Sequence, residues 1–130
     1  MSVLQLAQTI KRVENMKGGD KYYWTKHSLY KMRHYGLSAQ RVKRIIRYPT
    51  RVEEAIVPNM IAVMQSAGVK NYSEIWAMYK LAKRTNTKYQ IQNTRYSQIK
   101  VITAWRYPGK SPARNPIPRE ILDEIKNVIS

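Results

Sequence analysis

The chain has no cysteine, which excludes disulfides, thiolate metal sites and a cysteine nucleophile. It has no phenylalanine, so ten tyrosines and three tryptophans carry the aromatic load. Those rings pack well, and each still offers a polar tip or a stacking face for a base. Two histidines and eight mostly scattered carboxylates are a poor supply for a structural zinc site, and no cofactor is expected. No apolar run approaches the roughly 20 residues of a membrane span, and the start M-S-V-L-Q-L-A-Q-T-I-K-R lacks the basic region of a signal peptide. The default expectation is a cytoplasmic protein with no membrane partner.

The scarcity of acid is the strongest of these signals. Against eight acidic residues stand 24 lysines and arginines, a formal charge of +16 over 130 residues. Residues 1–50 alone hold 11 basic and 2 acidic residues. Such a field favours polyanions: nucleic acid first, an anionic membrane surface second, an acidic protein third. The length fits one domain, able to bury about two thirds of the surface its unfolded chain would expose.

What is present is organised around Trp24 to Pro49, which contains both histidines and no acidic residue. It reads as two short helices broken at Gly36, with Thr25 as N-cap of the first and Gly36 as its left-handed stop. Ser38 caps the second, and Pro49 ends it by restricting the residue before it. On the first helix, Leu29, Met32 and Tyr35 are spaced to face a core, with His27, Lys31 and His34 on another face. On the second, Val42, Ile45 and Ile46 point inward, leaving Arg41, Lys43, Arg44 and Arg47 for solvent or a polyanion.

Upstream, Val3, Leu6, Ile10 and Val13 mark a helix over 3–15, ended by Gly18-Gly19-Asp20. It is read as integral to the domain, with a detachable arm (1–20) as the alternative. Downstream, the period changes. Strands are expected from Arg51, over 60–65 and over 98–107. One is also expected over 73–82, whose residues could form a helix but whose Ile75, Ala77, Tyr79 and Leu81 alternate with Trp76, Met78 and Lys80. The polar, basic stretch 83–96 reads as a hairpin loop or an extended arm. The last strand's alternation puts Ile99, Val101, Thr103, Trp105 and Tyr107 on one face and Lys100, Ile102, Ala104 and Arg106 on the other. A proline-rich segment then leads to a closing helix with an Ile121, Leu122, Ile125, Val128 and Ile129 stripe. The expected fold is α+β: N-terminal helices on an antiparallel sheet of about four strands (51–108), closed by a C-terminal helix (109–130).

The residues H-S-L-Y-K-M-R-H-Y-G-L (27–37) resemble the signature helix of a family of small prokaryotic domains, His-Ala-x-x-Arg-Met-x-x-Arg-Gly-Ile. In that family a second helix, a proline and a short antiparallel sheet follow. The family is similar to the barnase–EndoU–colicin–RelE superfold, which includes many metal-independent ribonuclease toxins. The resemblance spans Lys26 to Pro108, with Ile102–Tyr107 falling where the last strand would lie. His27, Met32 and Gly36 match the pattern. Lys31 stands for its first arginine, keeping the charge without the planar fork, and Tyr35 replaces the second. The resemblance implies a toxin-like endoribonuclease held in check by an acidic antitoxin or immunity protein.

Metal-free RNA cleavage requires a base for the 2′-hydroxyl, cations for the phosphate and an acid for the leaving oxygen. His27, near a helix N-terminus that disfavours its protonated form, suits the base. Lys31 and Arg106 suit the phosphate, and Tyr107 or His34 the acid, with Arg47 and Arg51 as further clamps. Thr103 either orients the phosphate or pairs across the sheet. The surrounding nucleic-acid surface would comprise Arg33, His34, Arg41, Lys43, Arg44, Arg47, Arg51 and Lys100. The other class of function is a non-catalytic RNA- or ribosome-binding module on the same basic face. A third is a protein-interaction domain for an acidic partner. An enzyme requires His27 to converge with Arg106 and another cation, whereas a binder needs only a broad basic surface.

Overall fold

A computed structural model describes residues 3–54, 60–83, 97–112 and 117–129. Its elements are α1 (Val3–Glu14), β1 (Tyr22–Trp24), α2 (Lys26–Tyr35), α3 (Ala39–Arg47), β2 (Arg51–Glu54), β3 (Met60–Ala67), β4 (Ser73–Ala82), β5 (Gln98–Pro108) and α4 (Arg119–Ile129). The class is α+β. The sheet has five strands in the order β1-β5-β4-β3-β2, not four, and it is mixed: β1 runs parallel to β5, Tyr22 opposite Ile99 and Trp24 opposite Val101. Strands β2 to β5 form the expected antiparallel meander. The connection expected over 83–96 lies outside the described residues from position 84 on.

Each face of the sheet carries its own core. On one, Leu6, Ile10 and Val13 of α1, Met32 of α2, and Val42, Ile45 and Ile46 of α3 pack on Ile75, Tyr79, Ile99 and Val101. On the other, Ile117, Ile121 and Ile125 pack on Met78, Ile102 and the Trp76–Trp105 pair, whose rings lie parallel with centroids 5.7 Å apart. Burial of this much apolar surface is the main force holding both layers together. Of the stripe expected on α4, the side chains of Val128 and Ile129 lie outside the described residues.

Strand β5 does not alternate as its sequence suggests. The pairing slips between Met78 and Tyr79, which oppose Thr103 and Val101, so Ile102 is an extra residue. Such a bulge reverses the parity of everything beyond it. Val101 and Ala104 therefore lie in one core while Ile102 and Trp105 lie in the other. Arg106, opposite Ile75, falls on the α1–α3 side and Lys100 on the α4 side.

The face of α2 is also turned from the expected one. Thr25 accepts a hydrogen bond from the Ser28 amide at 3.0 Å, and its own hydroxyl donates to Ile102 O at the bulge, 3.0 Å away. That anchor fixes the helix about its axis with Ser28, Lys31 and Met32 inward. Leu29, expected in the core, is 45 % exposed. Gly36 closes the helix at φ +67°, in the left-handed region, as expected. Ser38 caps α3, and Val42, Ile45 and Ile46 are buried as the spacing predicts.

Candidate functional site

The histidine helix meets the closing helix through one carboxylate. Glu124 of α4 lies 3.0 Å (Oε2) and 3.2 Å (Oε1) from Lys31 Nζ, and 3.5 Å (Oε2) from His27 Nε2. Lys31 is only 6 % exposed, and its ammonium also lies 5.5 Å from the centre of the Tyr35 ring. A lysine can be buried this far only because the carboxylate compensates its charge. His27 is largely buried, and Nε2 accepts or donates no hydrogen bond among the described residues. Burial lowers its pKa below the usual histidine value; Glu124 works against that shift and Lys31 adds to it. The ring is thus neutral near pH 7.

Arg106 does not join this group. Its terminal nitrogen donates to Tyr35 O at 3.5 Å, at the far end of α2. Eight residues separate His27 from Tyr35, about 12 Å along the axis at 1.5 Å per residue. Tyr107 lies against the α4-side core, on the opposite face of the sheet from Arg106. Of the four residues expected at a catalytic centre, only His27 and Lys31 come together.

The outer residues sort into engaged and free cations. Arg51 is engaged: Nε donates to Glu53 Oε1 (2.8 Å) and NH1 to Ser111 Oγ (2.9 Å), NH2 bonds Pro112 O, and the guanidinium sits 5.1 Å from the Trp76 ring centre. Its cluster surrounds Glu74, 1 % exposed. That carboxylate accepts from Tyr72 OH (3.0 Å), Trp76 Nε1 (3.0 Å) and both the amide and the hydroxyl of Ser111. Burial pushes the Glu74 carboxyl up, but the bonds from Ser111, Trp76 and Tyr72 outweigh it and hold the pKa below the usual value. Arg47 is ion-paired through Nε to Glu14.

By contrast Arg33, Arg41, Lys43, Arg44, Lys100 and Arg106 pair with no carboxylate among the described residues. Exposed rings lie among them. Tyr30, 63 % exposed, stacks on His34 with centroids 6.4 Å apart, and His34 stands edge-on to Tyr35. Tyr23, exposed on β1, holds the Lys100 ammonium 5.7 Å from its ring centre. Lys43 lies 4.9 Å from the centre of the ring of Tyr22, which is buried.

Glu124, Glu14, Tyr23 and Tyr30 are the site residues that the sequence alone does not single out. The Lys31–Glu124 contact joins positions 93 apart, and no periodicity encodes it. Tyr30 and His34 are spaced i, i+4 on α2 and were in principle readable as a surface pair. No group of three or more metal-ligating side chains occurs among the described residues, and no helix among them is long and apolar enough to cross a membrane. Comparison with family models, curated proteins and solved structures returned no match.

Proposed function

We propose that the protein is a non-catalytic RNA-binding module acting in the cytoplasm. One observation carries this reading: among the described residues, cations without carboxylate partners lie on α2, α3 and β5 and exposed aromatic rings on α2 and β1, with Lys100 standing over the exposed ring of Tyr23. Cations supply sequence-independent attraction to phosphates, and rings supply stacking to unpaired bases. Five of the eight acidic residues are committed elsewhere, Glu14, Glu53, Asp123 and Glu124 in ion pairs and Glu74 in hydrogen bonds, so these five do not compete for that surface.

Metal-independent cleavage of RNA is the second reading, and His27 favours it: neutral, close to a carboxylate, and with a buried ring nitrogen that makes no hydrogen bond among the described residues. It ranks below binding because Arg106 stands about 12 Å away along α2 and Lys31 is spent on Glu124.

Titration of a labelled single-stranded RNA against salt tests the proposal. Neutralising about five phosphates gives a log–log slope of about −3.5. The variant Arg33→Ser/Arg41→Ser/Arg44→Ser, which breaks no ion pair, should flatten that slope and keep its fold. Incubation with total RNA in EDTA, alongside His27→Ala, separates the two readings. Cleavage that disappears in the variant would replace the binding module with an enzyme. Absence of salt-sensitive RNA binding would refute both and leave an acidic protein as the partner.

A further inference from the structure

A groove of about 440 Å³ runs between the C-terminal halves of α1 and α3, lined by Lys11, Glu14, Asn15, Arg47 and Tyr48 with Ile10 at its floor. A smaller recess of about 190 Å³ lies beside it, reaching Tyr22 and Lys43, and the two share Glu14 and Arg47. The His27–Glu124 contact plays no part in this groove. Its volume is within the range of sites that enclose a small molecule.

The wall between the recesses is built to hold one guanidinium in place. Glu14 Oε2 accepts from Tyr22 OH at 2.7 Å and from Arg47 Nε. Burial and the neighbouring Glu14 carboxylate push the tyrosine hydroxyl's pKa up, so it stays a donor. With Nε thus anchored, the two terminal nitrogens of Arg47 have no partner among the described residues. That is the planar fork which suits a phosphate. Lys11 stands on one side of it and Lys43 on the other.

The aromatic wall is carried on a held main chain. Tyr48 caps α3, its amide bonding Arg44 O at 2.9 Å, and its carbonyl accepts from Gln65 Nε2 at 2.8 Å. The main chain is therefore held while the ring remains 69 % exposed. With its main chain already held, the residue has less freedom to lose when a base stacks on the ring. Asn15, at the same rim, brings an amide that can both donate to and accept from a base edge.

We infer that this groove binds one nucleotide of a single-stranded RNA, its base on Tyr48 and its phosphate on Arg47 between Lys11 and Lys43. This rests on the RNA-binding reading and locates where, within it, an unpaired base is recognised. Glu14 and Tyr22 are positioning residues, which aim the guanidinium without touching the nucleic acid.

The test measures a single-stranded 12-nucleotide RNA and a duplex of the same sequence against the wild type, Tyr48→Ala and Lys11→Gln. Both replaced side chains are exposed and make no hydrogen bond among the described residues, so the fold should be retained. Tyr48→Ala should weaken the single strand on the order of tenfold and the duplex less than twofold, because only an unpaired base can stack. Lys11→Gln should weaken both and reduce the salt slope by about 0.7 for the single strand. A 4-thiouridine-substituted strand should crosslink to Tyr48. Wild-type affinity for the single strand in both variants overturns the groove while leaving RNA binding in place. Equal loss of single strand and duplex in Tyr48→Ala overturns it as well. No RNA bound by the wild type overturns groove and module together.

Discussion

Glu124 holds Lys31: a carboxylate on the closing helix neutralises an ammonium buried beneath it on the histidine helix, 3.0 Å away. Glu124→Gln should leave that ammonium without its counter-charge and destabilise the protein by about 1–2 kcal/mol. This is less than the roughly 3–5 kcal/mol of a fully buried pair, because Glu124 itself keeps contact with solvent. Urea denaturation measures it. Lys31→Met, which removes the buried charge and keeps the stem's volume, should cost less than Glu124→Gln.

The same contact governs His27. Its pKa lies below the ordinary value of about 6.5, chiefly through burial. Between those two values the unfolded chain holds more protons than the folded one, so stability falls as the solution is acidified through that window. Glu124→Gln removes the one group opposing the shift, lowering the pKa further and widening the window. His27→Gln should flatten stability against pH just below 6.5, and NMR titration of the His27 ring reads the shift directly.

Glu74 should dominate a second, more acidic limb. Its pKa lies below the usual 4.5 or so, so its stabilisation is present above that value and lost as the pH falls through the folded one. Glu74→Gln puts an amide, itself a donor, where four donors converge. It should cost about 2–3 kcal/mol at neutral pH and remove that acid limb. Thermal melts between pH 3 and 7 test both.

The turn of α2 is checked by two alanines. Met32→Ala opens a cavity in the core and should cost about 2–4 kcal/mol, while Leu29→Ala, at an exposed position, should stay within about 0.5 kcal/mol. Equal costs would restore the face that spacing alone predicts.

Thr103 is fully buried on β5, and its hydroxyl has no hydrogen-bond partner among the described residues. Thr103→Val keeps the shape and removes a desolvated polar group, so it should raise stability by about 1 kcal/mol. A loss of stability would argue that the hydroxyl has a role in the α4-side core.

These residues also mark where sequence reading succeeds. Helix α3 is fully legible, because Ser38, the Val42–Ile45–Ile46 spacing and Pro49 agree with one another. Strand β4 is legible from its alternation and its neighbours. Strand β1 is not: three residues are too few to show a period, and its partner lies 77 positions on. The reversal along β5 depends on one surplus residue, Ile102, whose side chain looks like any other strand residue. Leu29 is misplaced because the face that is buried, Ser28, Lys31 and Met32, is less apolar than the Leu29, Met32 and Tyr35 stripe. The Thr25 anchor to Ile102, rather than apolar content, sets which face turns inward. For the site, residue type and spacing pointed to His27 and Lys31, but the acid that engages them comes from the other end of the chain.

The single hydroxyl of Thr25, which starts α2 and grips Ile102 across 77 residues, ties a local event to a distant one. A helix of ten residues is marginal by itself, and here its native first turn is complete only when the last strand has arrived. Loop closure over that span comes before the contacts that reward it. The amides of α2 and β5 should therefore open as one cooperative unit in hydrogen exchange, and synthesis must pass residue 102 before this bond can hold the histidine helix in its final orientation.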